Sequence, residues 1–145
     1  MIEGVLIEPL KVLSDERGEV RHMLRSDAPF FTQFGEIYFS SVKPGFVKGW
    51  KKHIRQTQHI VVPDGNIKFV LYDDRNNSPT KGQIQEIELG VSNYKLLRLP
   101  PQIWYAFKAL ENRSARLANC TDLPHDPEEC RQLDISDRSI PYAWD

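Results

Sequence analysis

Short hydrophobic runs separated by turn-forming residues are the main pattern along this chain. The runs are rich in Val, Ile, Tyr and Phe, and Gly, Pro, Asp and Asn lie between them. This pattern is typical of all-β domains, and no long window keeps the 3.6-residue period of an amphipathic helix. We therefore predict little helix and ten strands, at residues 5–10, 19–24, 36–42, 46–53, 58–62, 67–72, 84–89, 94–99, 103–108 and 116–121.

Ten short strands favour two facing sheets closed into a barrel or jelly roll, because closure limits exposed strand edges. The chain has 145 residues, of which 40% are hydrophobic, so we expect one domain, 1–145, with a real core. The tail, residues 124–145, is rich in proline and charge. We expect this tail to wrap over the barrel rather than add strands.

Charge and cysteine content narrow the choice of partner and compartment. A net charge of −1 gives no indication of nucleic acid or an anionic membrane as partner. The sequence shows neither an apolar run of membrane-spanning length nor a signal-peptide pattern, which predicts a soluble, cytoplasmic protein. Cys120 and Cys130 lack a metal-binding spacing, and we expect both to be reduced and structural or incidental.

The segment 47–53 carries basic side chains on a predicted strand. Side chains alternate along a strand, so Val47, Gly49, Lys51 and His53 are expected to point the same way. A barrel strand that turns Lys and His toward its interior lines a pocket. Alternatively, this face looks at solvent and its basic residues keep an edge strand soluble.

The histidines near this segment do not form a metal-binding pattern. A metal-binding barrel requires His-x-His, then a carboxylate and a distant third His. Here position 51 is Lys, and Gln58 stands where the carboxylate is needed. We therefore predict no metal and no cofactor, and we interpret His59 as a hydrogen-bonded structural residue.

Candidate chemistry also lies outside this segment. Arg17, before Gly18 in a tight turn, could anchor a diphosphate through its forked guanidinium, or it could be an ordinary surface arginine. Trp104 and Phe107 are predicted to fill the core, although an aromatic ring there could also stack on a base or sugar. His125 lies between prolines in a loop, where it could exchange protons or have no role.

Five sequence blocks carry a resemblance that runs nearly from end to end. They are Asp15-x-Arg17-Gly18, Gly45-Phe46-Val47-Lys48-Gly49-Trp50, Asp73-x-Arg75-x-x-Ser78-Pro79-Thr80-x-Gly82, Pro100-Pro101 with Phe107, and Asp137-x-x-Ile140-x-x-x-Trp144. In this order they resemble the dTDP-4-dehydrorhamnose 3,5-epimerase family. The resemblance implies an all-β, cupin-like double-stranded β-helix (a jelly-roll barrel). It also implies a homodimer that exchanges N-terminal strands.

The resemblance further implies which residues carry the chemistry. The family removes a proton next to a ketone, using a His base steered by an Asp and a Tyr acid on the opposite sugar face. The base position falls on Lys51, with His53 two residues further on. The tyrosine acid falls on His125, a second pocket histidine on Tyr105, and the aspartate on Asp137.

Substrate-binding positions follow from the same resemblance. The phosphate-contacting arginine matches Arg17, a further basic position is kept as Lys48, and a family lysine is replaced by Gln58. We also place Glu36 among the substrate-binding residues. The small-molecule partner implied by this set is a nucleotide sugar.

The changed proton-transfer positions leave two interpretations open. In the first, the chain is a sugar epimerase or isomerase of deoxysugar or surface polysaccharide biosynthesis. Lys51 then acts as a base whose pKa burial has lowered, or as a cation that polarises a ketone while His53 or His125 moves the proton. In the second, the barrel binds a nucleotide sugar or another small ligand without turnover. A purely structural module would not explain Arg17, Lys48 and Asp137.

Overall fold

Twelve β-strands and one short 3-10 turn form the chain in a computed structural model that describes residues 1–145. The strands are β1 (Leu6–Pro9), β2 (Val12–Asp15), β3 (Gly18–Arg21), β4 (Glu36–Val42), β5 (Val47–His53), β6 (Gln58–Asp64), β7 (Asn66–Asp73), β8 (Ile84–Gly90), β9 (Lys95–Leu99), β10 (Ile103–Ala109), β11 (Ala115–Thr121) and β12 (Cys130–Gln132). The 3-10 turn, Pro127–Glu129, directly precedes β12. No helix in the chain has the length and hydropathy needed to span a membrane.

The strands form two five-stranded antiparallel sheets and a separate hairpin. The first sheet has the order β1-β9-β6-β11-β4, the second has the order β12-β5-β10-β7-β8, and β2 pairs only with β3. A cluster of 17 buried residues lies between the two sheets. The all-β, cupin-like jelly-roll barrel predicted from the sequence is confirmed.

Alternation along the strands explains why both faces of each sheet are buried. On β10, Tyr105 and Phe107 point into the barrel, whereas Trp104 and Ala106 belong to a second apolar cluster on the outer face of the sheet. The tail covers this outer cluster with Ile140 and other apolar side chains. Phe107 and Trp104 therefore both fill apolar cores, as predicted.

The prediction for the tail is half right. It wraps over the second sheet as expected, but it also contributes β12, which pairs with β5 through Cys130↔His53 and Gln132↔Lys51. The segment is too short and too polar to show a strand pattern of its own. It is extended because the free edge of β5 supplies the hydrogen-bonding partner, a tertiary effect that local patterning does not encode.

The first 30 residues depart from prediction in a similar way. Residues 12–15, which were not predicted as a strand, form β2, and β3 ends at Arg21 because the hairpin register pairs Val12 with Arg21. Beyond this hairpin, Leu24 and Phe30 pack on Val61 and Ala118 and cover the outer face of the first sheet.

Candidate active site

Two adjoining cavities share Tyr38 and Lys51 in their linings. The inner cavity, about 70 Å³, lies among core side chains of the barrel such as Ile60 and Leu117. The outer cavity, about 660 Å³, lies at the mouth between β5 and the segment that leads into β12. Together they form a path into the barrel, and most of the predicted site residues lie along it.

The orientation of β5 follows the predicted alternation only in part. Lys51 and His53 both line the outer cavity, as predicted, but Val47 packs in the outer apolar cluster and Lys48 lines the inner cavity instead. The reason is a bulge: Phe107 pairs with Lys48 and Tyr105 with Lys51, so β5 has one residue more than β10. An extra residue reverses the faces of all side chains beyond it.

Gly49 makes this bulge compatible with the packing of β10. A Cβ atom at position 49 would lie 2.5 Å from the Cβ of Ala106, and φ at Gly49 is +136°. Any side chain here would therefore push β10 away and strain the backbone. The glycine lets the two strands approach closely enough for Lys51 and Tyr105 to share the inner cavity.

His53 is hydrogen-bonded to a buried carboxylate that sequence reasoning missed. Its Nδ1 meets Oε1 of Glu129, and its ring stacks on Tyr105 with centroids 6.2 Å apart. Oε2 of Glu129 accepts the backbone N–H groups of Ile54 (3.1 Å), Arg55 (3.0 Å) and Gln56 (3.1 Å). Burial acts to raise the pKa of Glu129, but the bonds from His53 and the backbone outweigh it and hold that pKa below its usual value.

Neutral polar side chains line the barrel interior. Asn119 Nδ2 donates to Tyr38 Oη at 2.9 Å and to Gln58 Oε1 at 2.8 Å, while Asn119 Oδ1 is buried without a partner. Burial raises the pKa of Tyr105, and the neighbouring Tyr38 adds to this effect. Tyr105 therefore remains a protonated hydroxyl at neutral pH and can donate a hydrogen bond.

Two lysines bring positive charge to the cavities. Lys48 Nζ donates to Ser40 Oγ at 2.7 Å and to the Ser41 carbonyl at 3.1 Å. Burial, and then the charge of Lys51, lowers the pKa of Lys48. Other lysines, such as Lys52, Lys68 and Lys108, pair with carboxylates, but no carboxylate pairs with Lys51. Its ammonium group is thus free to meet a ligand.

The opposite wall of the outer cavity carries Glu36 and His125. The backbone N–H of His125 donates to Glu36 Oε2 at 2.8 Å, which holds the two residues together. Arg131 of β12 also lines this cavity, and its Nη1 donates to the Glu128 carbonyl at 2.8 Å. Arg131 was not predicted, because only the unpredicted strand β12 brings it to the mouth.

Two predicted site residues lie elsewhere in the chain. Arg17 is on the β2–β3 hairpin, 85% exposed and paired with Asp15 at 2.7 Å. Asp137 lies in the tail, where it accepts the N–H of Ser139 at 2.9 Å and its hydroxyl at 2.6 Å. Asp137 lines neither cavity, so the expected steering of a base at position 51 by this carboxylate is not present in the structure.

His59 lies on the outer face of β6, away from both cavities. Its Nδ1 bonds to the Cys120 carbonyl at 2.9 Å, in agreement with its interpretation as a structural histidine. Burial lowers the pKa of His59, and its Nε2 is buried without a partner. No three His, Cys, Asp or Glu side chains in the chain are grouped closely enough to hold a metal ion.

Comparisons with known proteins identify the family and agree with the fold. The family model described as dTDP-4-dehydrorhamnose 3,5-epimerase matches residues 1–145. A probable low-salt glycan biosynthesis epimerase, Agl13 of Haloferax volcanii, is 36% identical over 143 residues, covering 97% of this chain and 88% of its own.

Solved structures extend the comparison. The crystal structure of a dTDP sugar isomerase from Desulfovibrio desulfuricans G20 superposes with a TM-score of 0.96 at 48% identity, covering 99% of this chain and 92% of its own. The 3'-monoepimerase ChmJ of Streptomyces bikiniensis, in complex with dTDP-quinovose, gives a TM-score of 0.87 at 20% identity, covering 99% and 76%. At that identity the second match shows the shared fold alone.

Proposed function

The chain belongs to the dTDP-4-dehydrorhamnose 3,5-epimerase family, and on that premise we propose that it moves a proton on a carbon next to the ketone of a dTDP-linked 4-keto-6-deoxy sugar. The observation that carries the proposal is the convergence of Lys51, His53, Tyr105 and His125 on two adjoining cavities. Such a set holds a cation for an enolate oxygen, two groups that exchange protons and a neutral hydroxyl donor.

Lys51 is assigned the role of the cation in this reaction. Removing a proton next to a ketone places negative charge on the ketone oxygen, and a cation beside that oxygen stabilises the charge. Lys51 lines both cavities and has no carboxylate partner, so its ammonium can meet the oxygen directly. This supports the sequence-based alternative in which Lys51 polarises the ketone and a histidine moves the proton.

The diphosphate is proposed to lie at the mouth of the barrel. Arg131 brings a guanidinium to the outer cavity at the mouth, whereas Lys48 lines the inner cavity. Arg17 lies on the β2–β3 hairpin and lines neither cavity of its own chain. It contributes only if two copies of the chain pair and the hairpin of one reaches the cavity of the other. We propose this arrangement, which the family resemblance implies.

The exposed apolar residues support such a homodimer. β4 is an edge strand, and its outer face exposes Ile37 (49%) and Phe39 (70%). The hairpin exposes Leu13 (56%) and Val20 (58%). An edge strand with exposed apolar side chains is a template for pairing with another chain, and two-fold pairs are the commonest oligomers. We further propose a cytoplasmic location, supported by two cysteines that are both free.

Isotope exchange tests the proposed reaction. The protein is incubated with a dTDP-4-keto-6-deoxy sugar in deuterated water, and deuterium at C3 and C5 is followed by mass spectrometry and NMR. We expect incorporation in the parent, and a rate about 10²- to 10⁴-fold lower in Lys51→Ala with dTDP binding largely kept. A parent that binds dTDP tightly without exchange would be a binding protein, and this proposal would be wrong.

A further inference from the structure

We propose that His53 and Glu129 form the proton-transferring pair of this barrel, with His53 Nε2 as the base and Glu129 as its positioning residue. The inference deepens the proposed function and rests on it. It differs from the expectation by resemblance, in which the carboxylate is Asp137. In this chain both the histidine and its carboxylate occupy other positions.

The contacts of Glu129 determine which nitrogen of His53 carries hydrogen. An ionised carboxylate only accepts hydrogen bonds, so the nitrogen facing Oε1 must be Nδ1–H. The other oxygen already accepts three backbone N–H groups at 3.0–3.1 Å, which keeps the carboxylate ionised and immobile. Neutral His53 therefore keeps its lone pair on Nε2.

The lone pair on Nε2 is available to a ligand. Nε2 forms no hydrogen bond within the chain, it is not among the fully buried unpartnered atoms, and the ring lines the outer cavity. Stacking on Tyr105, with ring planes 18° apart, holds the imidazole plane in place. Pairing of Cys130 with His53 across β12 and β5 keeps Glu129 beside the ring. A general base needs this kind of fixed orientation.

Cavity volumes place the sugar next to His53. The inner cavity, about 70 Å³, is roughly a tenth of the size of the outer cavity, about 660 Å³. We therefore place the sugar ring in the outer cavity, which has the size of a ligand site. Since Lys51 lines both cavities, a ring held in the outer one can place its ketone oxygen at Lys51 and a neighbouring carbon at His53.

The proposed step conserves atoms and electrons. The C–H bond next to the ketone breaks and its proton goes to His53 Nε2. The electron pair forms an enolate whose oxygen meets the Lys51 ammonium. Imidazolium at His53 is stabilised by the Glu129 carboxylate. Proton return to the carbon, from His53 or from a donor on the opposite wall such as His125, restores the ketone and completes exchange or inversion.

The test compares Glu129→Gln and His53→Gln with Glu128→Gln, a neighbouring carboxylate that is exposed. In Glu129→Gln the amide oxygen can keep the backbone bonds, but the amide NH₂ must donate to Nδ1 of His53. Hydrogen then moves to Nε2 and the base is lost. We expect deuterium exchange about 10²- to 10⁴-fold slower in Glu129→Gln and His53→Gln, unchanged in Glu128→Gln, and dTDP binding retained in all three.

A second measurement distinguishes a positioning role of Glu129 from a purely structural one. Nitrogen-15 NMR of the histidines in the free protein should show Nδ1–H at His53 in the parent and in Glu128→Gln, and Nε2–H in Glu129→Gln. The position of the hydrogen on His53 in the parent can be measured even if a variant fails to fold. Nε2–H in the parent, or a parental exchange rate in Glu129→Gln, would overturn the pair while leaving the proposed function intact. A parent without any exchange would instead overturn the proposed function.

Discussion

Asp73→Asn should destabilise this barrel more than any change at an exposed ion pair. Asp73 is fully buried, and its Oδ1 accepts the N–H and the Nε–H of Arg75 at 3.0 and 2.9 Å. Its Oδ2 accepts Arg75 Nη2 at 2.9 Å and the hydroxyls of Ser78 and Thr80 at 2.6 Å each. One carboxylate thus organises the whole loop between β7 and β8.

The magnitude follows from what an amide cannot do at this position. In Asp73→Asn the amide NH₂ would take the place of Oδ2 and would face Nη2 of Arg75 and the hydroxyls of Ser78 and Thr80. The two hydroxyls can rotate and accept, but a guanidinium has no acceptor. Removing the charge of one partner of a buried ion pair lowers the free energy of unfolding by about 3–5 kcal/mol. The same loop also binds the N-terminal segment, since Arg75 donates to the Glu3 carbonyl at 2.7 Å, so that segment should loosen too.

Urea unfolding followed by tryptophan fluorescence measures this cost, with protein concentration held fixed because a dimer would make stability concentration-dependent. For a domain of this size, about 3–5 kcal/mol corresponds to a midpoint about 6–20 °C lower in thermal unfolding. The matched control is Asp27→Asn, which breaks a similar pair with Arg25 at 2.8 Å whose side chains are 66% and 68% exposed. Its midpoint should not move. A loss below about 1 kcal/mol in Asp73→Asn would refute the reasoning.

Acid titration provides an independent check of the same carboxylate. Burial acts to raise the pKa of Asp73, but the bonds from Arg75, Ser78 and Thr80 overcome it and leave that pKa strongly lowered. A lowered pKa in the folded state stabilises the fold above the unfolded value of about 3.9, and this contribution is lost as pH falls below it. The difference in unfolding free energy between parent and Asp73→Asn should therefore shrink below about pH 4.

Three further predictions concern ligand, assembly and metal. Arg17→Ala should weaken dTDP binding, measured by calorimetry, before it affects exchange at saturating substrate, because a guanidinium on the diphosphate contributes to binding; unchanged affinity would remove Arg17 from the site. Light scattering at micromolar concentration should give twice the chain mass for the parent and a lower mass for Phe39→Asp, which buries a charge in the proposed interface. Protein purified without an affinity tag should contain no stoichiometric transition metal by mass spectrometry.

Strand positions could be predicted where sequence and packing impose the same period. On β10, alternation separates the barrel interior from the outer cluster, and the predicted strand at 103–108 nearly coincides with Ile103–Ala109. The strand at Cys130–Gln132 could not be predicted, because its hydrogen bonds come from β5 and not from its own sequence. The same holds for β2, whose side chains are all exposed and show no apolar face.

The sequence predicted which side chains share a cavity where one strand was sufficient, but not where two distant segments had to meet. Lys51 and His53 share a face by simple alternation, but the bulge in β5 turned Val47 outward and Lys48 inward. Glu129 meets His53 across 76 positions of sequence. Nothing in the sequence distinguishes Glu129 from its neighbour Glu128; only the 3-10 turn before β12 buries one and exposes the other.

The most specific motif of the chain, from Asp73 to Gly82, holds the fold together, whereas the changed positions 51 and 125 face the outer cavity. The motif from Asp73 to Gly82 satisfies buried donors and anchors the N-terminal segment, so its loss would cost the fold directly. Side chains at 51 and 125 face open cavity space and carry no buried backbone hydrogen bond through their charged or ring atoms. They can therefore change without endangering the barrel. A resemblance carried by motifs of the first kind predicts the fold, whereas the base has to be inferred from geometry, and on that ground we propose His53 as the base and Glu129 as the residue that positions it.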